Sequence, residues 1–543
     1  MPNQQLFWAD SVAEKILNRK RFHYTSDPVP KMNEFTVKTS ASLSGVLHIG
    51  RLSDTIRGES VCRALADAGA KSRLIWVAED MDPLRKVPEG VPRRYSEYIG
   101  MPVTDVPDPG GCHRSYAEHH VSRYFEVLGE FVSIKMNKYS MREEYRKGNF
   151  NPYIKKILES TGTLMDIQNR HRRSPLGRGW SPWQPVCENC GKIITPRVTR
   201  FESGEVHYEC RDYQFESATA KGCGYKGASN PLRGNGKLVW KSEWASQWAR
   251  WRVVSEGAGK EYQVPGSAWW INGEIVEKIL GFPMPEPIFY EHIMIDNQKM
   301  SASKGNVIYP SDWLEVAPPE ILRFFYNKKL MKTRSFSWDY LPNLYDDYKR
   351  HEDVFFEKAK LDNKREEKHM KRLYELSRLA GSKPLPEIPF EFAVMVSQAF
   401  PEDSEKAIEI FRRTGHLKGR PAKRESERIA KILEYARNWA RKHAPEKYRI
   451  RVTDTPEKSK VRMLALPQKK ALSLLLEELK KPGASEEKLY SSFWEISKKA
   501  GIPAPKFFEA AYLVILGRES GPRLAPLIMA LGQERVAKIL EQI

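Results

Sequence analysis

Residues 34–50 read Glu34-Phe35-Thr36-Val37-Lys38-Thr39-Ser40-Ala41-Ser42-Leu43-Ser44-Gly45-Val46-Leu47-His48-Ile49-Gly50. The first part is β-prone, with aromatic and β-branched residues. Small residues then form a loop, and apolar spacing through Ile56, Val61, Leu65 and Ala68 predicts a helix. Lys71 to Val77 reads as a second strand, ending in the acidic turn Glu79-Asp80-Met81-Asp82-Pro83. A strand, helix and strand at this spacing predict a parallel βαβ unit, hence an α/β fold of Rossmann type. Ligands of such sheets bind at the carboxyl ends of the strands, where both the Ser/Gly/His loop and the acidic turn lie.

Outward from this unit, residues 5–20 carry helical apolar spacing at Leu6, Phe7, Val12, Ile16 and Leu17. Residues 103–230 are irregular and rich in Pro, Gly, Cys and His, and read as an insertion. Another β-prone run, Pro287 to Ile295, precedes Lys299-Met300-Ser301-Ala302-Ser303-Lys304-Gly305-Asn306. From about residue 345 the pattern is almost wholly helical, with Gly and Pro punctuation and no repeat of fixed period. The expected domains are 1–102 and 231–344 as halves of the sheet domain, 103–230 as the insertion and 345–543 as an all-α domain.

Lys plus Arg number 89 against 69 Asp plus Glu, a net charge of +20, which suggests a polyanionic partner. A Lys- and Glu-rich surface explains the number of charges but not their imbalance. No run of 18 apolar residues occurs, so no membrane span is expected, and the first residues lack the basic-then-apolar order of a signal peptide. The expectation is a cytoplasmic, monomeric chain.

Three constellations carry chemistry. His48-Ile49-Gly50 follows a loop in which Gly45 and Gly50 permit close approach of a phosphate and His48 supplies a donor. Lys299 to Asn306 puts two lysines and two serines in a Gly-bearing loop after a strand, a flexible phosphate clamp. The third is metal chemistry. Cys187-Glu188-Asn189-Cys190 is a zinc knuckle, and Cys210 and Cys223 complete a thiolate set, with His207 as the rival ligand. Asp108, Cys112, His113 and His119, with His120 adjacent, offer oxygen, sulfur and imidazole ligands for a second zinc.

The His48 and Lys299 motifs together resemble the signature pair of class I aminoacyl-tRNA synthetases. The chain is similar to the class I lysyl-tRNA synthetases at Phe7 to Ile16, Arg85 to Pro88, Gly100-Met101-Pro102, Val106 to Pro109, Gly111-Cys112-His113, Ser115 to His119, Leu322-Arg323-Phe324, Ala436 to Trp439 and Gly521 to Ala525. The resemblance implies a Rossmann-type catalytic domain, a zinc-bearing insertion, a helical connector and an α-helical anticodon-binding domain. It implies synthesis of lysyl-adenylate from ATP and L-lysine with Mg²⁺, then esterification of tRNA-Lys, with one or two structural Zn²⁺. His48, Lys299 and Lys304 would be catalytic. Ser44, Gly45, Gly50, Arg51, Met300, Ser301 and Ser303 would join His48 and Lys299 around ATP. Ser40, Ser42, Asp80, Trp240, Glu243 and Tyr290 would line the amino-acid pocket, with Asp82 a further acid there. Arg437, Trp439, Arg441 and Arg523 would contact the tRNA.

The sequence departs from the family pattern in several places. Arg51 stands where the family has a polar neutral residue. Ser40 and Ser42 replace the glycine and threonine that line the family's pocket, and Leu43 replaces the proline. Trp240-Lys241-Ser242-Glu243-Trp244 replaces Trp-Arg-Val-Asp-Trp. The family's Gly-Lys-Asp-His segment is matched here to Gly266-Ser267-Ala268-Trp269, which lacks the histidine. A synthetase-like tRNA binder without catalysis would show decayed phosphate loops. A synthetase for another amino acid would keep those loops and change its pocket.

Overall fold

The computed structural model describes residues 7–43, 47–87, 91–177, 179–300, 306–401, 403–451, 454–481 and 485–543. It divides into two compact units. The first comprises residues 1–311, 322–336 and 361–380, and the second residues 312–321, 337–360 and 381–543.

The first unit is built on a five-stranded parallel sheet. Its strands are β1 (Phe35–Ser42), β2 (Ser72–Glu79), β3 (Met136–Ser140), β4 (Val253–Gly259) and β5 (Glu286–Tyr290), in spatial order β5-β4-β1-β2-β3. The order reverses direction between β1 and β4, which makes their carboxyl ends the place where such sheets take ligands. This is the Rossmann-type arrangement expected from residues 34–77. The stretch read as an irregular insertion contains β3, an edge strand of the main sheet. Its five residues are too short and too polar to stand out by alternation.

Helix α1 (Trp8–Asn18) packs beside α2 (Ile49–Asp67), the crossover from β1 to β2. α2 is buried on almost every side, so apolar periodicity alone understates it. An added Cβ on Gly58 would lie 2.7 Å from the Thr39 methyl, so only glycine lets α2 cross β1 this closely. Two of the buried polar residues of α2, Ser60 and Glu59, are held by partners within the fold. Ser60 donates to Asn327 Oδ1 at 3.0 Å, Ser133 N donates to Glu59 at 2.8 Å, and Glu59 pairs with Arg323. The Arg323 guanidinium also donates to the carbonyls of Phe131 (2.7 Å), Ser377 (2.9 Å) and Leu376 (3.0 Å). Arg323 thus ties α2, the end of helix α3 (Tyr116–Phe131) and the helix Lys364–Ser377 into one body.

Beyond α3, residues 183–238 form small antiparallel sheets that include Pro196–Glu202, Glu205–Cys210 and Lys226–Ser229. The chain returns to the main sheet through α4 (Trp240–Trp251), and α5 (Ala268–Ile275) packs on α4. Trp244, Trp248 and Trp269 meet there within a large apolar core.

The second unit is helical. Helices Leu341–Phe355, Phe390–Ala399 and Lys423–Lys442 share a core in which the Tyr345 and Phe390 rings stack at 4.0 Å. Trp439 is wholly buried there and donates its indole N–H to Trp338 O. Among the described residues, no helix is long and apolar enough to cross a membrane.

Candidate active site and metal centres

β1 ends at Ser42, and α2 begins after His48, whose side chain caps it. The His48 Nδ1 accepts the Gly50 N–H at 3.0 Å. Burial, helped by the Arg51 cation, holds the His48 imidazole down to about 4, so it is neutral at physiological pH. With Nδ1 accepting, the single proton of the neutral ring sits on Nε2, leaving a donor for a ligand. An added Cβ at Gly50 would meet His48 and the Met300 methyl, each at 2.7 Å. Gly50 therefore lets Met300 close against the start of α2. The Ile49 N–H also donates to Ile308 O at 2.9 Å. Two motifs some 250 residues apart in sequence are thus joined on both flanks of the Lys299 loop. Lys299 itself is exposed, on the short strand Gln298–Lys299, and its carbonyl accepts from Asn306 Nδ2 at 3.2 Å. Arg51 points to solvent. Ser44, Gly45, Ser301, Ser303 and Lys304 lie outside the described residues.

The acids expected in the amino-acid pocket have other duties. Glu243 is fully buried, 3.0 Å from Lys237 Nζ, and accepts the Tyr145 hydroxyl at 2.7 Å. Asp82 takes Lys237 at 3.2 Å and the Ser42 hydroxyl at 2.6 Å. Burial pushes its carboxyl up, but Lys237 and Ser42 outweigh that and hold it below its ordinary value. Asp80 is buried and accepts the Arg142 N–H at 2.9 Å, and burial pushes it up to about 6. Glu243 and Asp82 are thus neutralised by Lys237, and Asp82 is tied to the end of β1 through Ser42.

The groups that converge nearest the break between β1 and β4 include four that sequence reasoning missed: Asp54, Arg57, Glu256 and Tyr262. Glu256 on β4 accepts the indole N–H of Trp244 at 2.9 Å and of Trp248 at 2.6 Å. The Ser40 hydroxyl lies 3.5 Å from its other oxygen. Asp54 on α2 accepts the Tyr290 hydroxyl at 3.4 Å, and burial pushes its carboxyl up to about 6. The Arg57 guanidinium stacks over the Tyr290 ring at 4.3 Å. Trp240 stacks on Trp244 at 4.8 Å, and Tyr262 meets Trp244 edge-on at 5.3 Å. Ser40, Trp240 and Tyr290 lie half-buried around this cluster. The missed acids sit inside a strand and a helix with no motif around them.

Trp269 has no exposed surface and packs against Trp244, Trp248 and Phe289, so it faces the core. Gly259-Lys260-Glu261-Tyr262 leaves the carboxyl end of β4 and keeps the order Gly-Lys-acid. The Tyr262 hydroxyl lies within electrostatic reach of Arg51 and Glu256.

Both metal groups come together. Cys187, Cys190, Cys210 and Cys223 bring four sulfurs within 4.8 Å of one another, with Cys187 and Cys223 3.6 Å apart and Cys190 and Cys210 3.7 Å apart. His207 is not part of this group. Asp108, Cys112, His113 and His119 also converge within 4.8 Å. Backbone N–H groups of Gly110, Cys112 and His113 hold the Asp108 carboxylate, and the Ser122 hydroxyl meets His113 Nε2 at 2.9 Å. His120 stands outside this group and packs on Tyr116.

Residues 6–380 match the family described as tRNA synthetases class I (K). The chain belongs to this family. Along its length it is similar to curated proteins named lysine--tRNA ligase. It is 33% identical to that of Thermococcus kodakarensis, covering 98% of this chain and 99% of the relative. Identity is 32% to that of Archaeoglobus fulgidus (98% of each covered) and 31% to that of Methanocaldococcus jannaschii (98% and 99%). The chain is an ATP-dependent ligase of this class I synthetase family. Of the expected tRNA contacts, Arg437, Arg441 and Arg523 are exposed. Trp439 offers no free ring face, because it is buried and its N–H is taken. Exposed aromatics of the second unit include Trp494 and Tyr490, one helical turn apart, as well as Tyr340 and Phe356.

Proposed function

We propose that the protein activates L-lysine with ATP to lysyl-adenylate and transfers it to tRNA-Lys. The observation that carries this is the full-length similarity to lysine--tRNA ligases, combined with an intact His48–Gly50–Met300 junction at the carboxyl end of β1.

The amino acid would lie over the break between β1 and β4, walled by Trp240, Tyr262 and Tyr290, with Asp54 meeting an ammonium group. An ammonium leaving water needs a carboxylate or an aromatic face, and this cluster offers both. ATP would lie along the start of α2, with Mg²⁺ on its phosphates. The neutral His48 donates from Nε2 to a phosphate oxygen, and the helix N-terminus adds its dipole. Lys299, with Ser301, Ser303 and Lys304, closes over the pyrophosphate as charge develops on it. No covalent enzyme intermediate is needed, because catalysis rests on positioning and charge stabilisation. The helical unit would recognise the anticodon, with Arg437, Arg441, Arg523 and Trp494 as contacts, since splayed bases stack on aromatic and Arg faces. Incubation with ATP, labelled lysine and tRNA from an archaeal host should yield acid-precipitable lysyl-tRNA. Labelled product that forms only with another amino acid would overturn the assignment.

Four thiolates converging in a polar segment fit a structural zinc, which leaves no open position for chemistry. The Asp108, Cys112, His113 and His119 group fits a second. Both would hold the insertion, read as 103–230, in shape. Elemental analysis of protein purified without chelator should give one to two zinc equivalents per chain, with Cys187→Ser removing one. Zinc-free, fully folded protein would contradict this reading, since thiolate ligation couples metal to folding.

A further inference from the structure

A lysine in the middle of a central strand, with none of its side chain exposed, is unusual and needs a strong partner. Lys38 is such a residue. Its ammonium lies 2.6 Å from Glu256 Oε1 and 3.7 Å from Glu79 Oε1. Glu256 Oε2 holds the two indole N–H donors of Trp244 and Trp248, so the carboxylate is oriented on both sides. Two residues along β1, Ser40 reaches the same Oε1 from the half-buried side that faces the proposed amino-acid pocket. An alkylammonium on a carboxylate that indole N–H groups hold in place is the kind of environment that a bound lysine side chain requires. The chain supplies that ammonium itself.

We propose that Lys38 occupies Glu256 in place of a substrate ammonium and is a specificity-determining residue that holds down affinity for free L-lysine. The inference rests on the lysine reading given above. With Glu256 already paired, an incoming ammonium is left with Asp54, which forms no ion pair among the described residues and accepts the long hydrogen bond from Tyr290 and a backbone N–H from Ser40. Lys237 plays the same part toward Glu243 and Asp82, so the deep carboxylates on both sides of β1 are met by internal cations.

The test is Lys38→Met in the full chain, which keeps length and packing and removes the charge. Lysine-dependent ATP–pyrophosphate exchange should show the KM for L-lysine falling about tenfold, the size expected when one buried polar partner is gained. L-lysine should also raise the melting temperature of the variant more than that of the unaltered protein, while norleucine should not. Lys38→Arg, which keeps the cation, should show no such gain. A lysine of purely structural importance would give a loss of affinity or no change, and either result in folded Lys38→Met overturns the proposal. If Lys38→Met alone folds poorly, rescue of its folding by L-lysine but not by norleucine supports the proposal, and absence of rescue overturns it. Exchange by the unaltered protein with lysine, unchanged by Lys38→Met, sinks only this inference. Exchange by both proteins with a different amino acid, and none with lysine, sinks the lysine reading itself.

Discussion

Replacing His48 by Ala is expected to slow adenylate formation by about two to three orders of magnitude, the usual cost of removing one preorganised donor at a site of developing charge. His48 has two separable duties. Its Nδ1 caps α2 through the Gly50 N–H, and its Nε2 proton is free for a ligand. Losing the cap costs about 1 kcal/mol of stability. His48→Asn separates the two, since Asn caps well but cannot place a donor where Nε2 stood. Stability close to that of the unaltered protein together with a rate near that of His48→Ala is the expected result for Asn. Because burial holds the imidazole down to about 4, protonation of His48 should leave no limb in the rate profile between pH 5 and 8. Single-turnover adenylation at saturating ATP reads both effects. A rate within about threefold of the unaltered protein in His48→Ala would remove His48 from the chemistry.

The largest expected effect on stability is at Arg323. Its guanidinium is wholly buried, pairs with Glu59 and donates to three main-chain carbonyls from two separate segments. Arg323→Met leaves Glu59 as a buried charge with only the Ser133 N–H, and breaking such a pair costs about 3–5 kcal/mol. Removing both charges is a milder change than removing one, so adding Glu59→Gln should restore part of the loss. Urea denaturation followed by tryptophan fluorescence checks this, because Trp244, Trp248 and Trp269 lie in the core of the same unit. A loss under about 1 kcal/mol in Arg323→Met would show that the carbonyls and Glu59 find other partners.

The parallel sheet was legible because β1, α2 and β2 follow one another within 45 residues and each has its own pattern. Edge strand β3 was not, since five residues between two helices carry too little periodicity. The phosphate side of the site was readable because its residues sit in contiguous motifs, and Gly50, Met300 and Ile308 show how the two motifs meet. The amino-acid side was only half readable. Trp240 and Tyr290 are aromatic residues at strand and helix ends, whereas Glu256 and Asp54 become neighbours of Ser40 and Tyr290 only through tertiary packing. Glu243 and Asp82 looked like free acids until Lys237 was seen to lie between them. Likewise, Trp439 reads as a base-stacking residue in one dimension and as a core residue in three.

Amino-acid-dependent ATP–pyrophosphate exchange, run with each of the common amino acids in turn, tests the central claim most directly. The account predicts exchange with L-lysine above all others. Exchange with a neutral or acidic amino acid and none with lysine would contradict it while leaving the synthetase family standing, and no exchange with any amino acid would contradict the catalytic reading altogether.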